Sequence, residues 1–456
     1  MGAGFAAAMM GLAPQGWWRL GEPRGSRVND SSAYDIAGAY HGAPSFGQPG
    51  AIAGDPDTAV AFTPDAYVEV PDHDNYSLAK ANDSFARWQE NGWGRADHGG
   101  AWTPEVSDEI YFSCDGSVAR IDETYRAASW MIGLEGCQPY NADIQIAVAW
   151  SDAARGGSLE PCSLVARRLD NQNFYRAELV ETAAHEIQLV LMKTIGGVNT
   201  VLAVARDLGA YTPGATWHVR FQIEHGELRA RTWLAGTLQP TTWQVTATDA
   251  SIQTAGNIAV RSTNSDSEAR PIVSFSRFWV QSLGLTVHAW LRLDETIFPG
   301  QSEAPYVHWL GKGGIDQQEW AMRIYSQDSP SHTGWVSFYT FSLDGGWGAG
   351  AEYHADTLGP LVAGVWYQFV GVLDSGDALD TQAGVSLYMN GQPVMVPPDP
   401  GTRYYNYSVV PGNGSAPVRF ATRDFQSFLR GALDEVAIFE RKLTAEEIAN
   451  LYAAAL

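Results

Sequence analysis

The adjacent carboxylates Asp434-Glu435 are of a type that could do acid–base chemistry. A retaining glycosidase needs two carboxyls about 5–5.5 Å apart, one as nucleophile and one as acid. Neighbours along a strand point to opposite faces, so Asp434 and Glu435 are not expected to act as a pair. The run His185-Glu186-Ile187-Gln188-Leu189 begins like a zinc-protease helix, but Leu189 stands where the second histidine must be. It also alternates like a strand. The chain has no Gly-x-Ser-x-Gly elbow and no phosphate-cradling glycine loop. Aromatic residues in polar loops carry a different chemistry, because aromatic faces stack on the C–H faces of pyranose rings. Candidates are Trp93 with His98 and Trp102, Trp347 with Tyr353, and Tyr404, Tyr405 and Tyr407. Trp347 leads them, since Gly345, Gly346 and Gly348 let the backbone turn and leave the indole without flanking side chains. For Trp93 and Trp102, packing at a sandwich edge is an equal alternative.

The elements that must hold these residues are strands. In Leu283–Asp294, Leu285, Val287, Ala289, Leu291 and Leu293 alternate with the residues between them, as in a half-buried strand. Tyr67–Leu78 supplies a second apolar run, closed by Pro71. Joined end to end, the two stretches would make two strands and a short turn, yet about 200 residues separate them, enough for a whole domain. The expected organisation is therefore one sandwich opened at Leu78 to admit another. Residues 1–13 form a helical arm, 14–78 with 284–456 the outer sandwich, and 79–283 the insert. Two sandwiches in tandem are the alternative. Within the insert, short apolar runs recur at eight- to fifteen-residue spacing from Ile144 to Val280, broken by Gly, Asp and Asn. Thr444–Tyr452 is the clearest helix, with Thr444 and Glu447 spaced as a capping box. The run from Trp217 resembles the run from Trp366, and each is followed by a glycine hairpin and a closing strand, as two copies of one fold would be. The fold class expected is all-β, two jelly-roll sandwiches, one inside the other, with short N- and C-terminal helices.

Charge and composition narrow the partners. The formal net charge is −22, which repels duplex nucleic acid and anionic membrane surfaces. Aromatic residues make up 12% of the chain, a level suited to sheets and to sugar-stacking surfaces. Met1–Leu12 is apolar but short and has no basic flank, so it reads as a helix ended by Pro14 rather than a signal or membrane segment. Synthesis in a cytoplasm without export follows as the expectation. Cys114, Cys137 and Cys162 all fall in the insert without a Cys-x-x-Cys, which argues against a zinc site. Buried thiols are expected, with a Cys114–Cys137 disulfide as the alternative.

Seven segments in order, WWRLGE, GDPDTAVAF, YVEVP, LTVHAWLRLD, WYQFVGVLD, VSLYMNG and GALDEVAIFERKLTAEEIANLY, resemble the laminin-G-like, concanavalin A-like jelly roll. The resemblance covers about 240 residues on both sides of the insert. The insert is similar to a second jelly roll of that superfamily. Its GWGRADHGGAW and RTWLAGTLQPTTWQ look like segments of bacteriophage tail proteins and of some secreted bacterial carbohydrate-associated proteins.

Glucanases on this fold carry Glu-x-Asp-x-x-Glu on one strand, which is missing here, and the resemblance makes Asp434-Glu435 a structural signature. It also implies an optional rim calcium, for which Asp55, Asp57, Asp72 and Asp74 offer oxygens at short spacing; such residues more often cap turns. The function implied is a non-enzymatic structural and adhesive virion protein of a phage tail, a minor tail protein. Its partners would be host-surface glycan, other tail proteins and further copies of itself. The alternatives are a carbohydrate-binding module of a secreted or surface bacterial protein and, last, a glycoside hydrolase.

Overall fold

The computed structural model describes residues 2–105, 109–123, 128–153, 160–265, 271–301, 305–314, 318–341, 348–374, 384–394, 403–404 and 414–456. Two compact units result. Met1–Leu78 with Leu283–Leu456 form the outer unit, and Ala79–Ser282 form the insert. The fold is all-β, with four antiparallel sheets making two sandwiches, one inserted into the other, and a few short helices.

In the outer unit, sheet I runs Gln392–Pro393, Val385–Met389, Trp366–Asp374, Gly284–Leu293, Gly431–Phe439, Thr58–Phe62 and Ser45–Pro49, with Gly16–Trp18 also paired to Gly431–Phe439. Sheet II runs Arg27–Val28, Gly38–His41, Tyr67–Val70, Val418–Phe420, Tyr306–Gly313, Gln318–Tyr325, Val336–Phe341, Gly348–Tyr353 and Arg403–Tyr404. Val68 and Val70 of sheet II share one core with Leu285, Val287 and Leu291 of sheet I. The two stretches flanking the insert are thus strands of opposite sheets, not the neighbouring strands that joining them end to end suggests.

A second apolar layer lies on the far face of sheet I. Phe5 and Met9 of the helix Gly2–Gly11 and Ile448 and Leu451 of the helix Ala445–Ala453 cover Trp17, Trp290, Val370, Val372 and Phe439. The second helix starts where the sequence places it. Thr444 accepts from Glu447 N at 3.2 Å, and Glu447 accepts from Thr444 N at 2.8 Å.

One local feature overturns an expectation. Trp290 pairs with Asp434 and His288 with Ala437, so the strand Gly431–Phe439 carries a β-bulge in which Glu435 adopts φ 51°. Leu433 and Val436 both face the core, leaving two consecutive residues between them turned outward. Asp434, opposite Trp290, and Glu435, which accepts from Trp17 Nε1 at 2.6 Å, therefore share the helix-covered face. Simple alternation puts them on opposite faces; the bulge brings them together.

The insert repeats this plan. Sheet III runs Val245–Thr248, Glu227–Leu234, Trp217–Glu224, Ala142–Trp150, Ile272–Gln281, Ala119–Asp122, Phe112–Asp115 and Trp88–Glu90, with Ala79–Asp83 against Ile272–Gln281. Sheet IV runs Val198–Ala205, Ile187–Ile195, Asn173–Glu181, Glu160–Asp170, Asn257–Asn264, Ala128–Glu135 and Ala101–Pro104. In sheet III the hairpin Trp217–Leu234 is followed by a long strand and then the closing strand, the order that Trp366–Met389, Gly284–Leu293 and Gly431–Phe439 take in sheet I. The weak sequence repeat corresponds to a repeat of topology.

Since the outer unit has its own two-sheet core, deleting Ala79–Ser282 and joining Leu78 to Leu283 through a short linker should leave a folded domain. A single cooperative melting transition with β-sheet circular dichroism is expected. Aggregation or a non-cooperative melt would show that the insert is needed for folding.

Candidate functional site

The outward face of sheet II is built from alternation in its strands. In Gln318–Tyr325, Trp320, Met322 and Ile324 enter the core, so Glu319, Ala321, Arg323 and Tyr325 turn outward. In register across four strands, His308 sits opposite Arg323, Arg323 opposite Ser337, and Ser337 opposite Glu352. Tyr306 lies opposite Tyr325 in the neighbouring row, and Tyr339 opposite Gly350 in another. A Cβ on Gly350 would stand 2.7 Å from the Tyr339 ring, so glycine is what lets that ring lie flat on the sheet.

Arg323 organises one half of this face. Its guanidinium lies 3.7 Å from the Tyr339 ring centroid, 4.7 Å from Tyr306 and 5.4 Å from Tyr325, and Nε donates to Ser337 Oγ at 3.3 Å. The Tyr325 and Tyr339 hydroxyls both donate to Glu352 Oε1 at 3.0 Å. Burial raises the Glu352 carboxyl against the pull of those two bonds and of Arg323. Burial pushes the Tyr325 phenol up to about 12, so it is a donor and not a base. Beside them, burial drives His308 down to about 4, leaving it neutral at neutral pH. Asp424 accepts from Arg423 Nη2 at 2.6 Å and lies 3.4 Å from His308 Nδ1; although burial opposes it, these contacts hold the carboxyl well below its usual range.

The other half is more open. His41 stacks on Tyr67 at 4.6 Å and 10°, and Tyr67 meets Phe425 edge-on at 5.1 Å. Arg419 lies 4.4 Å from the Phe425 ring centroid and donates to Glu69 Oε2 at 2.9 Å. Phe425 is 46% exposed and has φ 63°. A bulky aromatic in the left-handed region is strained, by roughly 1–3 kcal/mol, and such strain gathers at functional sites. Thr422 Oγ1 accepts from Phe425 N at 3.1 Å and helps hold the conformation.

The sequence-derived aromatics fall elsewhere. Trp347, Tyr405 and Tyr407 lie outside the described residues. Tyr404 belongs to Arg403–Tyr404, which extends sheet II beside Gly348–Tyr353, with Tyr404 opposite Gly350. Tyr353 is 3% exposed, and its hydroxyl donates to Gly359 O within the outer core. Trp93 is fully buried among Phe85, Trp102, Phe112 and Phe275, with Nε1 donating to Arg120 O at 2.9 Å. Trp102 is bonded to Asp83 Oδ2 at 2.7 Å. Tyr353 and Trp93 are core side chains and offer no ring to a ligand. Arg323, Tyr325 and Glu352 were not singled out from the sequence, although 319–325 marks that face: Trp320, Met322 and Ile324 are apolar on even positions, and Glu319, Arg323 and Tyr325, interrupted by Ala321, lie on odd ones.

The carboxylates considered for calcium have protein partners. Arg19 pairs with Asp55 at 2.9 Å, Asp57 at 2.9 Å and Glu435 at 3.0 Å. Asp72 pairs with Lys312 at 2.8 Å, and Asp74 opens the short turn Asp74–Tyr76. Among the described residues no group of three or more His, Cys, Asp or Glu is arranged to hold a metal ion. The three cysteines are buried and form no disulfide, and burial pushes Cys114 up to about 11, which makes it a poor nucleophile.

Residues 272–449 match the model of the concanavalin A-like lectin/glucanases superfamily. That stretch, most of it in the outer unit, resembles a concanavalin A-like lectin/glucanase domain. No curated protein matches the chain. Similar solved structures include the carbohydrate-binding module CBM66 from Bacillus subtilis, at 14% identity over 40% of this chain and 95% of that one, with a TM-score of 0.29. Bacillus licheniformis β-glucanase is similar at 11% identity over 44% of this chain and 96% of that one, with a TM-score of 0.31. The CBM2 module of the evolved Dit of Lactobacillus casei BL23 phage J-1 has 11% identity over 45% of this chain and 95% of that one, with a TM-score of 0.31.

Proposed function

We propose that this protein is a non-enzymatic structural and adhesive component of a phage tail, displayed on the virion in several copies among other tail proteins. It contacts host-surface glycan through the open half of the outward face of sheet II, around Phe425; the Arg323 half is buried. The observation that carries the glycan contact is Phe425, an exposed ring held in a strained backbone conformation beside Tyr67, His41, Arg419 and Glu69. The tail role rests on the resemblance of GWGRADHGGAW and RTWLAGTLQPTTWQ to tail-protein segments. Binding rather than hydrolysis fits the carboxylates of this face. Glu69 is held by Arg419, Glu352 by two tyrosines, Asp424 by Arg423 and Glu319 by Lys312 at 2.5 Å.

Phe425→Ala should weaken binding to host cells or their isolated surface polysaccharide roughly 5- to 150-fold, the loss of one stacked ring. Its melting temperature should fall by no more than a few degrees, since the ring is 46% exposed and alanine keeps the Cβ that strains the left-handed backbone. Unchanged adhesion, or release of reducing ends from the polysaccharide by the wild type, would refute the proposal. Protein composition of purified particles tests the tail role: the chain must be found in virions.

A further inference from the structure

Trp88 is 83% exposed, an unusual state for the largest apolar side chain. It lies in Trp88–Glu90, the edge strand of sheet III, opposite Asp115. A Cβ on Gly116, whose φ is +94°, would sit 2.8 Å from Trp88 Nε1 and 3.0 Å from Cε2. One edge of the indole, at Nε1 and Cε2, therefore lies close to the turn after Asp115, where glycine leaves room, and the rest of the ring is open to water.

Register fixes what surrounds this ring. Phe112, Cys114, Ala119 and Ile121 enter the core, so Ser113, Asp115 and Arg120 face outward with Trp88 and Glu90. Glu90 sits opposite Ser113, Ser113 opposite Arg120, and Arg120 opposite Ser274. This polar row crosses four strands, three inter-strand spacings or roughly 14 Å, long enough for a short oligosaccharide. Asp115 is pre-set by bonds from Ser117 N at 3.0 Å, Ser117 Oγ at 2.9 Å and Val118 N at 3.0 Å, and it pairs with Arg120. Arg120 Nε finds no acceptor among the described residues.

We infer that Trp88 and the row Glu90–Ser113–Arg120–Ser274 form a second glycan site, in the insert, for a neutral pyranose oligosaccharide. An aromatic platform beside fixed hydroxyl, carboxylate and guanidinium groups matches a sugar's apolar face and its ring of hydroxyls. A polyanionic glycan is disfavoured by the chain's net charge of −22. The site is independent of Phe425, so the protein engages its ligand at two places and gains avidity where both fit one surface.

The test titrates short glucose, N-acetylglucosamine and rhamnose oligosaccharides into the full-length protein by calorimetry. Binding of at least one is expected, with Trp88→Ala weakening it roughly 5- to 150-fold, Trp88→Phe retaining most of it, and melting temperatures unchanged. Phe425→Ala should leave this Trp88-dependent binding in place, which separates failure of one site from failure of the other. Three outcomes each overturn the inference: no oligosaccharide in the panel binds, Trp88→Ala binds as tightly as the wild type, or Trp88→Ala lowers the oligomeric state in sedimentation, which would make Trp88 a protein contact.

Discussion

Glu352→Ala is expected to destabilise the outer unit by about 2–4 kcal/mol, from one buried hydroxyl left without an acceptor and a second hydrogen bond lost. Both the Tyr325 and Tyr339 hydroxyls donate to a single oxygen of Glu352, and all three side chains are at most 8% exposed. Alanine removes the shared acceptor, so the two hydroxyls keep only each other and one of them loses its acceptor, at about 1–3 kcal/mol; it also removes a carboxyl whose charge favours the buried Arg323 guanidinium. Glu352→Gln separates hydrogen bonding from charge. Its carbonyl can take the place of Oε1 and accept both bonds, and burial already disfavours the native charge. Its cost should stay near 1 kcal/mol. Urea unfolding of the two variants measures this. Equal losses would mean that Arg323 needs the charge rather than the acceptor.

The fold was legible because sheet alternation is a strong signal where one face is buried. Leu285, Val287, Ala289, Leu291 and Leu293 enter the core as their spacing demands, and the Thr444–Glu447 box marks a helix start that the structure reproduces. The sites were less legible. A tryptophan in a polar, loop-like run looks the same in sequence whether its ring points in or out; Trp93 went in, and Trp88, five residues earlier, went out. Only register, which pairs Trp88 with Asp115 and puts both opposite to Cys114, tells them apart. Phe425 was hidden for a different reason. Its exposure follows from a left-handed backbone that no residue type in Arg423–Gln426 demands. The bulge at Glu435 likewise breaks the period-two rule on which the sequence argument relied.

That bulge has a pH consequence. Asp434 is 2% exposed; Oδ2 accepts from Ala51 N at 2.7 Å, and Oδ1 has no partner among the described residues. Burial, then the neighbouring Glu435 charge, raises its pKa well above the ordinary value. Burial also pushes Glu435 up to about 7, although Arg19 and Trp17 Nε1 favour its charged form and the nearby Asp57 disfavours it. The pair therefore holds a proton near neutrality, and Glu435, whose charged form Arg19 and Trp17 Nε1 favour, is the one that ionises first. Between about pH 4.5, where a free glutamate ionises, and about 7, the folded chain binds more protons than the unfolded one, so stability falls as pH rises through that window. The full loss for Glu435 alone is about 3 kcal/mol. Asp434→Asn keeps the acceptor for Ala51 and removes one charge, and Glu435→Gln removes the other. Each should flatten the profile between pH 5 and 8 and stabilise the protein most at the alkaline end. Urea midpoints measured across that range for the wild type and both variants decide it. Parallel profiles in all three would mean that the two carboxyls ionise as they do in the unfolded chain, and that the bulge serves only to seat Trp17 and Arg19.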